Sequence, residues 1–128
     1  MMNRVVIGLG SNIDPDRNIP KAVELLSQKF TVLKTSKFKS TKPVGFLDQS
    51  DFMNGAVLLT TDLERDQLKK ELRKIETALG RKRRGSKFGP RPIDLDIVIW
   101  NGEIADNDFY ERDFIRTAVR EVLPGLKH

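Results

Sequence analysis

The chain opens on an unbroken apolar run, Val5-Val6-Ile7-Gly8-Leu9, whose length and β-branching predict a buried strand. Gly10-Ser11-Asn12 is turn punctuation after it, and Asp14-Pro15 sets a capping side chain before a proline at the first helical position. Ile19, Ala22, Val23 and Leu26 then recur at helical spacing, which predicts a helix from about Pro15 to Gln28. Thr31 to Lys39 alternates loosely and reads as a second strand with one wet face. Ser40 to Asp51 is polar, carries Pro43 and Gly45, and reads as a loop, whereas Met53 to Thr60 is a third, largely buried strand. Asp62 opens a second helix, with Leu68, Leu72, Ile75 and Leu79 on one stripe and Gly80 as its stop. Asp94 to Trp100 is a fourth strand, Asn101-Gly102 a turn, and Asp113 caps a last helix that reaches Val122 before Pro124.

The order β-α-β-β-α-β predicts an α+β fold, a ferredoxin-like sandwich in which helices pack on one face of an antiparallel sheet. There is no repeat, low-complexity tract or linker, so the 128 residues are expected to form a single domain, 1–128. No apolar run is long enough to span a membrane, and the one at the N-terminus is too short for a signal peptide. The chain has no cysteine, which removes disulfides, thiolate nucleophiles and Cys-based metal sites and suggests a cytoplasmic setting. Its only histidine is His128, so histidine acid–base chemistry is not expected either.

Charge changes the picture in one place. Arg81, Lys82, Arg83, Arg84, Lys87 and Arg91 crowd one segment that contains no acid. Setting these six aside from the 23 cations leaves 17 against 18 acids, so the net charge of +5 belongs to this segment alone. A nucleic-acid or membrane binder spreads its cations along a face, whereas one basic loop suits a small polyanion. The loop runs into Asp94-Leu95-Asp96. Alternate residues of a strand share a face about 7 Å apart, so Asp94 and Asp96 should point one way and Leu95, Ile97 and Ile99 the other. Two carboxylates beside arginines suit Mg²⁺ carrying a polyphosphate, because Mg²⁺ takes few protein carboxylates and leaves its other positions to water and phosphate.

Other features are open on spacing alone. Gly8-Leu9-Gly10-Ser11-Asn12 fits neither common phosphate-loop spacing and reads as a tight strand-to-helix turn. Glu76 reads as a solvated helix charge or an i,i+4 partner. Phe46, Phe52, Phe88, Phe109 and Phe114 follow no helical or strand period; each fits either stacking on a flat heterocycle or capping the core edge.

Four segments together resemble the 6-hydroxymethyl-7,8-dihydropterin pyrophosphokinase family: Ile7 to Asn12; Ser40 to Gly45 with Phe52-Met53-Asn54; Ile75-Glu76 with Gly80 to Arg83; and Lys87 to Val98. The resemblance implies transfer of pyrophosphate from ATP to the pterin hydroxymethyl group, releasing AMP, on a ferredoxin-like core. It implies that Asp94 and Asp96 hold two Mg²⁺ ions and that Arg81 and Arg91 act with them in catalysis. Glu76, Arg81, Arg83, Phe88, Arg91, Ile97 and Arg112 match the ATP side. Thr41, Pro43, Val44, Gly45 and Asn54 match the pterin pocket, and Phe52 and Phe114 the two rings that sandwich the pterin. Small-molecule substrates, a monomer, and no nucleic acid or membrane are expected. The rival readings are a divergent relative that binds pterin or nucleotide with weak or altered transfer, and a nucleic-acid-binding module on the same fold.

The chain departs from the family pattern at Lys42, where proline is usual, at Phe88, where tryptophan is frequent, and at Arg73, which replaces a residue that often contacts nucleotide. After Glu103 the family's Arg-Leu-x-x-Pro-His-like segment, which contacts ATP, has no counterpart before Arg112-Asp113-Phe114. The resemblance therefore implies a gripped triphosphate and a loosely held adenine.

Overall fold

Strand β1 (Asn3–Ser11) is central in the sheet, flanked on one side by β4 (Phe52–Thr61) and on the other by β5 (Asp94–Trp100). The computed structural model describes residues 2–42, 49–81 and 90–126. Helix α1 (Pro15–Lys29) leads into β2 (Thr31–Thr35) and β3 (Lys39–Thr41), which pair with different stretches of β4. Helix α2 (Arg65–Ala78) precedes β5, a two-residue turn joins β5 to β6 (Glu103–Ile104), and α3 (Asp108–Glu111) and α4 (Asp113–Val122) follow. The sheet order is β2-β4-β1-β5-β6, every neighbouring pair antiparallel. It is an open antiparallel sheet in an α+β fold.

Helices cover both faces, not the one face expected. Val5, Ile7 and Leu9 of β1 meet Ile19, Ala22 and Leu26 of α1 and Leu68, Leu72 and Ile75 of α2. On the other face Val6, Ala56, Leu58, Val98 and Ile99 receive Ala118, Val119 and Val122 of α4 and Phe109 of α3. With Ile115, these α4 residues form one apolar stripe at helical spacing, which must be buried against something. The unbroken run at Val5-Val6-Ile7 needs cover on both faces, and α4 supplies the second.

Local chemistry moves several boundaries. Asn101 and Gly102 take φ of 49° and 83°, the paired positive values of a tight hairpin turn. Helix α1 starts at Pro15, but Asp14 makes no side-chain cap; its backbone is left-handed and its carbonyl accepts from the N–H groups of Arg17 and Asn18. Helix α2 begins at Arg65 rather than at Asp62, because Glu64 is the N-cap and its N–H donates to the Gln67 side chain at 3.1 Å. The second strand is broken after Thr35: Thr35 faces Val57 and Lys39 faces Asn54, four steps against three. Ser36 sits in the break, bonded to Ala56 through both backbone and hydroxyl.

The same break brings the Phe38 ring over Gly55, where an added methyl would lie 2.4 Å from a ring carbon. Gly55→Ala should destabilise the protein by about 1–3 kcal/mol through overpacking. In a Phe38→Leu background the same substitution should have less than half that effect. Denaturant midpoints of the four proteins test this; equal losses in both backgrounds would show that the ring is not what Gly55 accommodates.

Candidate active site

Strand β5 carries two chemistries because its faces differ. Leu95 and Ile97 pack into the α1–α2 core, so Asp94 and Asp96 lie on the opposite face. Ile99 does not follow Leu95 and Ile97 as the alternation predicts. A register shift opposite Val6 and Ile7 leaves Val98 as an extra residue, and Val98 and Ile99 both join the α4-side cluster. Across the sheet Asp94 pairs with Gly10 and Asp96 with Gly8; beyond them lie Asn54 and Ala56 of β4. Both glycines are inside β1, not in a strand-to-helix turn. A methyl at Gly10 would come 2.9 Å from Asn54 Oδ1, and one at Gly8 3.1 Å from Val98 Cγ2. They contribute no side chain of their own to this face, with the two aspartates on one side and half-buried Phe52 and Asn54 on the other, and the Asn54 amide reaches over Gly10 and the Val98 methyl over Gly8. Asn54 donates its amide to Thr41 Oγ1 on β3.

An ion-pair network anchors the acidic edge. At the end of α2, Gly80 has φ 95° and Arg81 N–H reaches back to the Glu76 carbonyl at 3.0 Å, a Schellman closure that turns the chain toward β5. The Arg81 guanidinium then donates to Glu76 Oε2 at 2.6 Å and to Asp94 Oδ1 at 2.7 Å. Arg91 takes the other oxygen, Asp94 Oδ2, at 3.0 Å. Glu76 is buried at 3% exposure and also accepts from the Leu95 N–H at 2.8 Å, so it is a cross-link between α2 and β5 and not a solvated helix charge. Burial alone would lower the Arg81 guanidinium, but the Asp94 and Glu76 carboxylates outweigh it and hold it above its ordinary value.

One residue of this site carries no distinctive signal in the sequence. Asn12, 6% exposed just past β1, donates its amide to Gln49 Oε1 and the Ser50 carbonyl, while its oxygen accepts from Arg91 N–H at 2.8 Å. An asparagine after glycine and serine reads as turn punctuation, and only the fold reveals its partners. Arg112 and Phe114 sit where α3 passes into α4, both half-buried. Phe109 belongs to the core. Ile97 faces away from the aspartates, into the α1–α2 core. Pro43, Val44, Gly45, Arg83 and Phe88 lie outside the described residues, as does most of the basic loop.

Asp94 and Asp96 are the candidate cation ligands. Among the described residues no group of three histidine, cysteine or acidic side chains could hold a metal. Asp96 opens to solvent, yet surrounding protein atoms and then the charge of Asp94 push its carboxyl up to about 8. Solvent access tempers the first cause, leaving like-charge repulsion as the part the geometry fixes, and a bound cation would relieve it.

This has a consequence for stability without metal. The folded protein binds a proton at Asp96 that the unfolded chain, with an ordinary value of 3.8, has released. Stability should therefore fall as pH rises from about 4 to about 8, since the native state holds more protons throughout that window. Asp96→Asn should remove this part of the slope and be the more stable protein at pH 8. Denaturation midpoints of both proteins in chelator at pH 5 and pH 8 check it; parallel profiles would show that Asp96 is not the strained group.

A sequence profile of the 7,8-dihydro-6-hydroxymethylpterin-pyrophosphokinase (HPPK) family matches residues 6–124. The chain is similar to the 2-amino-4-hydroxy-6-hydroxymethyldihydropteridine pyrophosphokinase of Bacillus subtilis (strain 168), 38% identical over 133 positions that take in 95% of this chain and 79% of the relative. For the protein of the same name in Aquifex aeolicus (strain VF5) the identity is 35% over 136 positions, 99% of this chain and 84% of the relative. A folate synthesis bifunctional protein of Arabidopsis thaliana is 33% identical over 129 positions, which are 93% of this chain but 27% of that longer protein. With the profile running almost end to end and bacterial relatives matched over about four fifths of their length, the chain belongs to the 7,8-dihydro-6-hydroxymethylpterin-pyrophosphokinase family.

Proposed function

We propose that this protein transfers pyrophosphate from ATP to 6-hydroxymethyl-7,8-dihydropterin, giving AMP and the pterin diphosphate in folate biosynthesis. The observation that carries the reading is the grip of Arg81 and Arg91 on Asp94, beside Asp96, over a floor of Gly8 and Gly10. Two cations and two carboxylates converge there, across Gly8 and Gly10 from the Asn54 edge. The flat pterin lies over the floor between Phe52 and Phe114, its edge read by the Asn54 amide and by Thr41, Pro43, Val44 and Gly45. Arg83, Phe88 and Arg112 serve ATP, its triphosphate toward Arg81 and Arg91, while Glu76 acts from beneath by holding Arg81 and β5 and Ile97 packs into the core behind the strand. Asp94 and Asp96 would hold two Mg²⁺ ions, which supply charge neutralisation for the phosphates and polarise the pterin hydroxyl.

In the reaction the pterin oxygen bonds to the β-phosphorus as the bond to the α-phosphate oxygen breaks, and the hydroxyl proton passes to water. Arg81 and Arg91 leave Asp94 for the phosphates and stabilise charge that builds on the departing AMP. No side chain here is placed as a strong general base, so positioning and electrostatics carry the rate, as in phosphoryl transfer generally.

The finer fold reading is a ferredoxin-like core. Counting β2 and β3 as one strand, the order β2-β4-β1-β5 with α1 and α2 on one face supports it. The protein acts as a monomer on small molecules in the cytoplasm, without nucleic acid or membrane. Support for a small ligand comes from both arginines of the site, which already face a carboxylate; among the described residues no helix is long and apolar enough to cross a membrane.

Asp96→Asn should lower pyrophosphoryl transfer by about 10³-fold or more while the protein folds normally, because the amide cannot hold the cation. Coupled measurement of AMP release with hydroxymethyl-dihydropterin as acceptor is the test; wild-type turnover in the variant would remove Asp96 from the site. A second expectation concerns the nucleotide. Alignments to relatives run to 136 positions against 128 residues here, so relatives carry positions this chain lacks. If these are the base-side contacts after Glu103, binding resides in the arginine–phosphate contacts. ATP should then be preferred over GTP by less than about tenfold (about 1.4 kcal/mol), and turnover should drop with added salt. Steady-state rates with both nucleotides at two ionic strengths decide this, and a preference of about 100-fold would show a rebuilt base pocket.

A further inference from the structure

Asn12 is a nearly buried side chain whose hydrogen bonds run in two directions. Its Nδ2 donates to Gln49 Oε1 at 2.6 Å and to the Ser50 carbonyl at 3.1 Å, and the chain from there enters β4 at Phe52 and Asn54. Its Oδ1 accepts from Arg91 N–H at 2.8 Å, and its own N–H donates to the Arg91 carbonyl at 3.1 Å. Arg91 in turn holds Asp94 Oδ2. A continuous path therefore runs from the Phe52–Asn54 edge through one amide to the arginine and aspartate of the opposite edge. Asparagine suits this joint because its flat head offers two donors and an acceptor at once. An aspartate has no donor for the Ser50 carbonyl, and a shorter side chain cannot span both sides.

We propose that Asn12 is a positioning residue that couples the two substrate subsites, so that occupying the heterocycle side fixes Arg91 for the phosphates and the reverse. The proposal rests on the functional reading above and adds to it a residue that acts through Arg91 and the segment leading into β4. Coupling of this kind is reciprocal: each ligand tightens the other by the same factor. A merely structural Asn12 would change stability or both affinities and leave that factor alone.

The test is calorimetric titration of hydroxymethyl-dihydropterin with and without Mg²⁺ and α,β-methylene-ATP, which cannot transfer. In the wild-type protein the analogue should tighten pterin binding by about tenfold or more. In Asn12→Asp, which keeps the acceptor for Arg91 N–H but loses the donors to Gln49 and Ser50, the factor should fall below about threefold. Affinities for each ligand alone should stay within about threefold of wild type. Gln49→Leu, which leaves Asn12 in place and removes one arm, should lose part of the factor and serves if the Asn12 variant does not fold. Undiminished coupling in a folded variant, a uniform loss of both affinities with coupling preserved, or no coupling in the wild type would each overturn the proposal. Failure of the wild-type protein to bind pterin and nucleotide at all would overturn the functional reading, and this inference with it.

Discussion

A buried carboxylate at the end of α2 holds the geometry of the site. Glu76 accepts from the Arg81 side chain and from the Leu95 N–H, so one acid positions both the first arginine and the strand that carries Asp94 and Asp96. A charge taken out of water is tolerated only when its partners satisfy it, and removing one partner leaves the other stranded. Here the pairing is closed: among the described residues no buried side-chain nitrogen or oxygen lacks a hydrogen-bond partner. Because Arg81 also bonds to Asp94, the α2–β5 contact and the chemistry of the cleft cannot be varied separately.

The second constraint is the alternation of faces along β1. Its odd positions, Val5, Ile7 and Leu9, face the α1–α2 core, while Val6, Gly8 and Gly10 face the other way. At Val6 that second face lies under α4. At Gly8 and Gly10 the strand adds no side chain to that face, which leaves room there for the Val98 methyl and the Asn54 amide between the aspartates and β4. One strand thus serves as core and as cleft, and the change comes where valine gives way to glycine. The bulge at Val98 does the matching work on β5, returning that strand to apolar packing immediately beyond Asp96.

Much of this was legible before the fold. Strands β1, β2, β4 and β5 and helices α1, α2 and α4 follow from the apolar periods, β3, β6 and α3 are too short to leave one, and the two-residue turn at Asn101-Gly102 follows from its residue types. The shared face of Asp94 and Asp96 follows from the pleat. What was not legible depends on which residues a fold brings together. The face covered by α4 needed the two-sided run at Val5-Val6-Ile7 to be taken literally. The roles of Gly8 and Gly10 turn on their lying inside a strand, which their turn-like composition hides. Glu76 differs from a surface glutamate only in that β5 lies against it, and Asn12 from turn punctuation only in that Gln49, Ser50 and Arg91 converge on it.

The charges of the cleft fit a site shaped for an anion that arrives with cations. Two guanidiniums, Arg81 and Arg91, stand among three carboxylates, Glu76, Asp94 and Asp96, so the group balances when Asp96 keeps its proton. That is the direction in which its environment pushes it. Asp94 is shared between both arginines, which keeps them close to the cleft and limits their freedom to fold away. A divalent cation offers the aspartates a better partner than a proton or an arginine, and phosphate oxygens offer the arginines a better one than Asp94 alone. Exchange of partners then leaves no charge unpaired at either end. A lone nucleotide without metal would free the arginines while leaving two carboxylates facing its phosphates, and a lone metal would displace arginines with no anion to receive them. The arrangement favours the pair together.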